Sequence, residues 1–152
     1  MLSRIFRQLF GFGRTKPHVL EADAGTTIFL HGRDNFSFDV IGTSRHETEL
    51  VEIAGGGVQP GQDFQCVAAL VLSEGKDDRR FSVAVSIDRR IVGYFPANLA
   101  TQYREWLHKW GLTHAGVQCN AIIVVDRNPI RLGAYDYTVK LDIELPFKMT
   151  TL

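Results

Sequence analysis

From Tyr137 to Leu145 the chain alternates without a break: Tyr137, Val139, Leu141, Ile143 and Leu145 are apolar, and Thr138, Lys140, Asp142 and Glu144 between them are polar. Successive side chains of a strand point to opposite faces, so this pattern demands a sheet with one face in a core and the other in water. The same period recurs at Phe36, Phe38 and Val40, a strand running into Ile41 and Gly42, and at Phe81, Val83, Val85 and Ile87. Continuous β-rich apolar runs stand at 64–72 and 117–125, and a short run at 91–95 follows the Asp88-Arg89-Arg90 turn, which predicts a hairpin with 81–87. Residues 18–35 offer one short strand, Thr26 to Leu30.

Helical spacing appears in three places. Ser44 and Glu47 have the S-x-x-E spacing of a capping box, Leu50, Val51 and Ala54 follow, and Gly55-Gly56-Gly57 stops the pattern. Leu99, Tyr103, Trp106, Leu107 and Trp110 form a stripe from Pro96 to Gly111, which is expected to be core. Leu2, Ile5, Phe6, Leu9 and Phe10 lie on one face with Arg4 and Arg7 between them, a short amphipathic helix ended by Gly11 and Gly13. That segment reads as a docking element for its own domain or for a protein partner. A membrane surface is the weaker reading, because one short helix buries little apolar area.

Charge is unevenly spread over the 152 residues. Arg4, Arg7, Arg14 and Lys16 precede any acid, so 13 of the 17 basic residues face all 17 acids over the rest of the chain, a net of −4. A slightly acidic domain is not the footprint of a strong nonspecific nucleic-acid binder. Apolar runs far shorter than ~20 residues, and an N-terminus without an uninterrupted apolar core before a small-residue cleavage site, predict a cytoplasmic protein. Cys66 and Cys119 sit in apolar alternating runs and are expected as buried thiols, with a disulfide between them left open.

Chemical motifs are scarce. The phosphate loop, the dinucleotide fingerprint and the nucleophile elbow are missing, and Gly55-Gly56-Gly57 follows a helix instead of preceding one. His18, His31, His46, His108 and His114 show no metal-ligand spacing. Asp77 and Asp78 are adjacent and so point apart on an extended chain. No catalytic residue, metal or cofactor is therefore assigned, and the chain is expected not to be an enzyme. Arg79-Arg80 and Arg89-Arg90 bracket a strand, roughly 20 Å apart at ~3.3 Å per residue, and do not form one patch. The connector from Asp126 to Asp136, with Asn128-Pro129 and Gly133, is longer than most hairpin loops, a length that often carries contacts.

Three pieces in order resemble a HIRAN domain: the strand ending in Val40-Ile41-Gly42 before a polar stretch and short helix, the central Val92-Gly93-Tyr94-Phe95 entering the next helix, and the closing Leu141-Asp142-Ile143-Glu144-Leu145-Pro146. The N-terminal Ile5-Phe6-Arg7-Gln8-Leu9-Phe10-Gly11 is similar to the opening of stand-alone bacterial members. The resemblance implies a small β-barrel related to OB and SH3 folds and a pocket for the 3′ end of single-stranded DNA. Carried over by position, the DNA-binding residues are Ser44, Arg45 and His46 at the first-strand exit and Tyr94 after the central glycine. A tyrosine stacks on bases and a guanidinium pairs with phosphate. The family's N-P-x-D-x-N-A-V segment is replaced here by Lys76-Asp77-Asp78-Arg79-Arg80-Phe81-Ser82-Val83, where Asp78 reaches the acidic position only with a shift of one residue.

The expected organisation is a basic amphipathic segment over 1–16, a connector over 17–35 and an α+β domain over 36–147, small and barrel-like, with five or six strands and two short helices. The expected function is noncatalytic binding of single-stranded DNA or its 3′ end. The rival is a protein-interaction module docking through residues 1–16.

Overall fold

A computed structural model describes residues 25–55, 59–73 and 83–152; the N-terminal amphipathic segment and the Asp77-Asp78-Arg79-Arg80 stretch lie outside the described residues. Among the described residues eight strands form one sheet: β1 (Thr27–His31), β2 (Phe38–Asp39), β3 (Asp63–Leu72), β4 (Val83–Ile87), β5 (Arg90–Tyr94), β6 (Gly116–Arg127), β7 (Tyr135–Asp142) and β8 (Lys148–Thr151). Two α-helices among these residues accompany it, α1 (Glu47–Ala54) and α2 (Ala97–Lys109). The class is α+β, with a mostly antiparallel, curled, barrel-like sheet.

Strand β6 organises the sheet. One of its edges pairs with β3 from Val124 back to Gln118. Its other edge is divided, with Gly116–Cys119 parallel to β1 and Asn120–Arg127 antiparallel to β7. Outward from β6 the order is β3, β4, β5 on one side and β7, β2 on the other. The two ends of that path meet, because Ile41, just past β2, forms an antiparallel bridge with Tyr94 at the end of β5. The sheet reaches beyond 36–147 at both ends, through β1 and its antiparallel partner β8.

Period-2 patterning becomes burial along β6, where Val117, Cys119, Ala121, Ile123 and Val125 all face the core. Val139, Leu141 and Ile143 join them from the β7 side, and the helices add Leu50, Leu99, Tyr103 and Leu107. The α2 stripe is core as expected at Leu99, Tyr103 and Leu107, while Trp106 and Trp110 are only partly buried against it. The turn between β4 and β5 is two residues, Asp88 and Arg89, with φ of 54° and 65°. Positive φ at both central positions matches the twist of a two-residue hairpin. No helix among the described residues is long and apolar enough to cross a membrane.

Four expectations need correction. The first alternating segment supplies only Phe38–Asp39 to the sheet, because Phe36 has φ of 46° and donates its N–H to the buried carboxylate of Asp142 at 3.4 Å, which folds residues 32–36 over that side chain. The capping box does not form: Gly42, left-handed at φ 78°, opens a 3-10 turn over Thr43–His46, so Ser44 lies inside the turn and α1 starts at Glu47 without a side-chain cap. The long connector is shorter than its sequence suggests, since β6 and β7 stay paired out to Arg127 and Tyr135 and leave only 128–134 as loop. At its other end β7 stops at Asp142, and Leu145 is exposed.

Candidate functional site

After β2 the chain is handed from one strand to another. The Val40 N–H donates to the Val139 carbonyl at 2.9 Å, and one residue later Ile41 and Tyr94 exchange two backbone hydrogen bonds, each 2.9 Å. This handover needs close backbone approach at Gly93: a Cβ there would meet the Val40 side chain and lie 2.7 Å from the Ile41 carbonyl oxygen. Gly42 then reverses the chain in a left-handed conformation that side chains rarely adopt.

These backbone constraints set the side chains. The Tyr94 ring lies over Gly42, where a Cβ would come within 3.3 Å of Cδ2. The His46 ring leans on the same tyrosine, with centroids 5.9 Å apart and planes inclined by 60°. Tyr94 and His46 are half-buried, whereas Ser44 and Arg45 are exposed on the 3-10 turn. Of the five residues carried over by resemblance, the fold thus places Ser44, Arg45 and His46 on one turn beside Tyr94, and Asp78 lies outside the described residues.

The electrostatics around the turn are mixed. His46 Nδ1 stands 3.8 Å from the Glu49 carboxylate, and Arg90 of β5 pairs with Glu52 of α1. The second pair ties α1 to the strand that carries Tyr94. Two of the three α1 acids, Glu49 and Glu52, therefore have basic neighbours from within the domain, and Arg45 is the one arginine of the turn itself.

A separate cleft of about 720 Å³ lies between the end of β3, α2 and residues 113–117, bordered by Leu72, Ser73, Arg104 and His114. Ser73, Arg104, Thr113 and His114 are each engaged in interactions within the chain. The cleft has no described connection to the Tyr94 turn.

Both cysteines are free thiols, Cys119 buried and Cys66 partly buried. Burial pushes Cys66 up to about 11, and burial followed by the charges of Asp142 and Cys66 pushes Cys119 up to about 12. A thiol held protonated is a poor nucleophile and metal ligand. Among the described residues no three His, Cys, Asp or Glu side chains are grouped to hold a metal ion. An aromatic platform with a guanidinium and a hydroxyl nearby is equipped to bind a ligand.

The raised thiols give a testable pH dependence. An unfolded thiol ionises near 9.0 while folded Cys119 stays protonated toward 12, so the unfolded chain releases its proton first. Stability contributed by the protonated thiol is complete below the unfolded value and is lost as pH rises toward the folded one, at up to about 1.4 kcal/mol per pH unit for a fully buried group. Urea unfolding midpoints should fall between about pH 9 and 11, and less steeply in Cys119→Ala. Equal slopes in the two proteins would show that Cys119 is not the group responsible.

Sequence reasoning named the turn and Tyr94 but not what joins them. The signal was present in Gly93, since a glycine inside a strand pattern marks close backbone approach, but the Ile41 carbonyl that it lies against is 52 residues away. No family model, curated protein or solved structure matches the chain.

Proposed function

We propose that this domain is a noncatalytic, cytoplasmic binding module for single-stranded DNA, taking a 3′ end at the turn formed by Ser44, Arg45 and His46 beside Tyr94. The observation that carries the reading is the half-buried Tyr94 ring, held against Gly42 and His46, with exposed Ser44 and Arg45 on the adjoining turn. Stacking on an aromatic face tolerates any base, and the guanidinium supplies the phosphate contact. The HIRAN resemblance of 36–146, with its OB- and SH3-related barrel, supports the same assignment, and the curled sheet tied at Ile41 and Tyr94 is compatible with it.

The test is fluorescence anisotropy with labelled single-stranded oligonucleotides carrying either a free or a blocked 3′-hydroxyl, at two salt concentrations. Tighter binding to the free end is expected, weakening as salt rises. Tyr94→Ala should reduce affinity about fivefold or more, since a stacked base contributes ~1–3 kcal/mol. Arg45→Ala should weaken binding and flatten its salt dependence. Both substitutions leave the backbone bridge in place, so urea unfolding should show folded variants. Unchanged affinity in both would refute the site, and no binding at low salt would refute the function and favour protein docking through residues 1–16.

A further inference from the structure

The 128–134 loop joining β6 to β7 is firmly built, yet it holds Ile130 at 88% and Leu132 at 102% of full exposure. Asn128 organises it. Its Oδ1 accepts from the N–H groups of Ile130 and Arg131, both at 2.8 Å, and its Nδ2 donates to Asp136 Oδ1 at 3.0 Å. The Asn128 N–H donates to the Ala134 carbonyl and the Ala134 N–H to the Arg131 carbonyl, at 2.9 and 3.2 Å. Pro129 has no N–H to satisfy. Much of the loop's polar backbone is thus bonded within the hairpin, which lowers the cost of taking the tip out of water.

We infer that this tip is a membrane-surface anchor, inserting Ile130 and Leu132 into the interface of an anionic bilayer. Its charge fits that occupant: residues 127–135 contain Arg127 and Arg131 and no acid, whereas Asp126 and Asp136 stand at the base of the hairpin. Arginines placed around inserted aliphatic side chains add attraction to anionic headgroups. Tyr135, 40% exposed where β7 begins, is the residue type that settles at the boundary between lipid and water. A convex tip of two large side chains is far smaller than the ~800 Å² per partner of an ordinary stable protein interface. A lipid surface requires no matching pocket. Val40, which leads into the Thr43–His46 turn, donates its N–H to Val139, four positions along β7 from Tyr135, so the tip lies toward the same end of the sheet as that turn. The anchor rests on the tip's own residues and does not require the nucleic-acid reading.

Sedimentation of the full chain with phosphatidylcholine vesicles, with and without about a third phosphatidylglycerol, tests it. Binding is expected only with the anionic lipid, and Ile130→Ser with Leu132→Ser should reduce it about tenfold or more. Because both side chains are exposed, the double variant should unfold like the parent. A local probe separates this tip from the basic N-terminal segment: Leu132→Trp should add a fluorescence component that shifts to the blue with anionic vesicles. Absence of vesicle binding, equal binding by the double variant, or an unshifted tryptophan would overturn the anchor. Loss of oligonucleotide affinity with vesicle binding intact would overturn it in favour of a nucleic-acid wedge.

Discussion

Gly93→Ala is expected to unfasten the curled sheet, at a cost of about 2–4 kcal/mol from overpacking and the loss of backbone hydrogen bonds. The added Cβ would collide with the Val40 side chain and the Ile41 carbonyl oxygen, and neither can retreat freely. Val40 is buried and hydrogen-bonded to Val139, and Ile41 makes both bonds of the bridge to Tyr94. The control is Gly133→Ala. There a Cβ meets nothing within 4 Å, but φ is +81°, so only the backbone penalty of about 1–2 kcal/mol remains. Urea unfolding of both variants checks the comparison, with Gly93→Ala the more damaging. Because Tyr94 is the next residue, the same variant should also lose oligonucleotide affinity; a loss no larger than that of Gly133→Ala would mean the handover contributes little.

Phe95→Ala should be more damaging still, at about 3–5 kcal/mol, the range for truncating a fully buried phenylalanine. Phe95 is 0% exposed at the joint between β5 and α2, and its N–H donates to the Val83 carbonyl at 3.0 Å. Its ring meets Tyr103 edge-on at 5.3 Å, Tyr103 meets Phe147 at 5.8 Å, and Trp106 meets Phe147 at 5.2 Å. This aromatic row fastens α2 to the strand before it and to the C-terminal segment after β7. Against the usual total of about 5–15 kcal/mol, such a loss would leave a markedly less stable protein. Phe95→Leu keeps most of the volume and should cost less than about 1.5 kcal/mol. Calorimetry or urea unfolding reads both, and equal losses would show that the ring contacts, and not the filled volume, are what matters there.

The elements legible in the sequence are those whose signal is local. The alternations at 81–87 and 137–145 and the runs at 64–72 and 117–125 each lie on an observed strand over most of their length, and the α2 stripe lies on a helix. The turn at Asp88-Arg89-Arg90 was also legible, although Arg90 belongs to β5 and only Asp88 and Arg89 connect the strands. Where two local signals compete, the sequence misleads. The Ser44 and Glu47 spacing satisfies a capping box, but Gly42 starts a 3-10 turn first. Strand β8 escaped notice because four residues, Lys-Met-Thr-Thr, are too few to show a period, and it forms only through pairing with β1.

The candidate site divides in the same way. Residue types able to stack on a base and meet a phosphate are visible in Arg45, His46 and Tyr94, but their proximity is not. Nor does the sequence reveal that Ile130 and Leu132 stand clear of the core, since their exposure depends on how far β6 and β7 stay paired.

The sequence by itself determined which segments alternate, where they turn and which face of α2 is apolar, because each follows from side-chain geometry within a few residues. The division of one β6 edge between β1 and β7, the bridge from Ile41 to Tyr94 and the placing of His46 against that tyrosine were decided only by the tertiary structure. They join positions tens of residues apart, and such contacts form only when burial of a shared core repays the entropy of closing the chain between them.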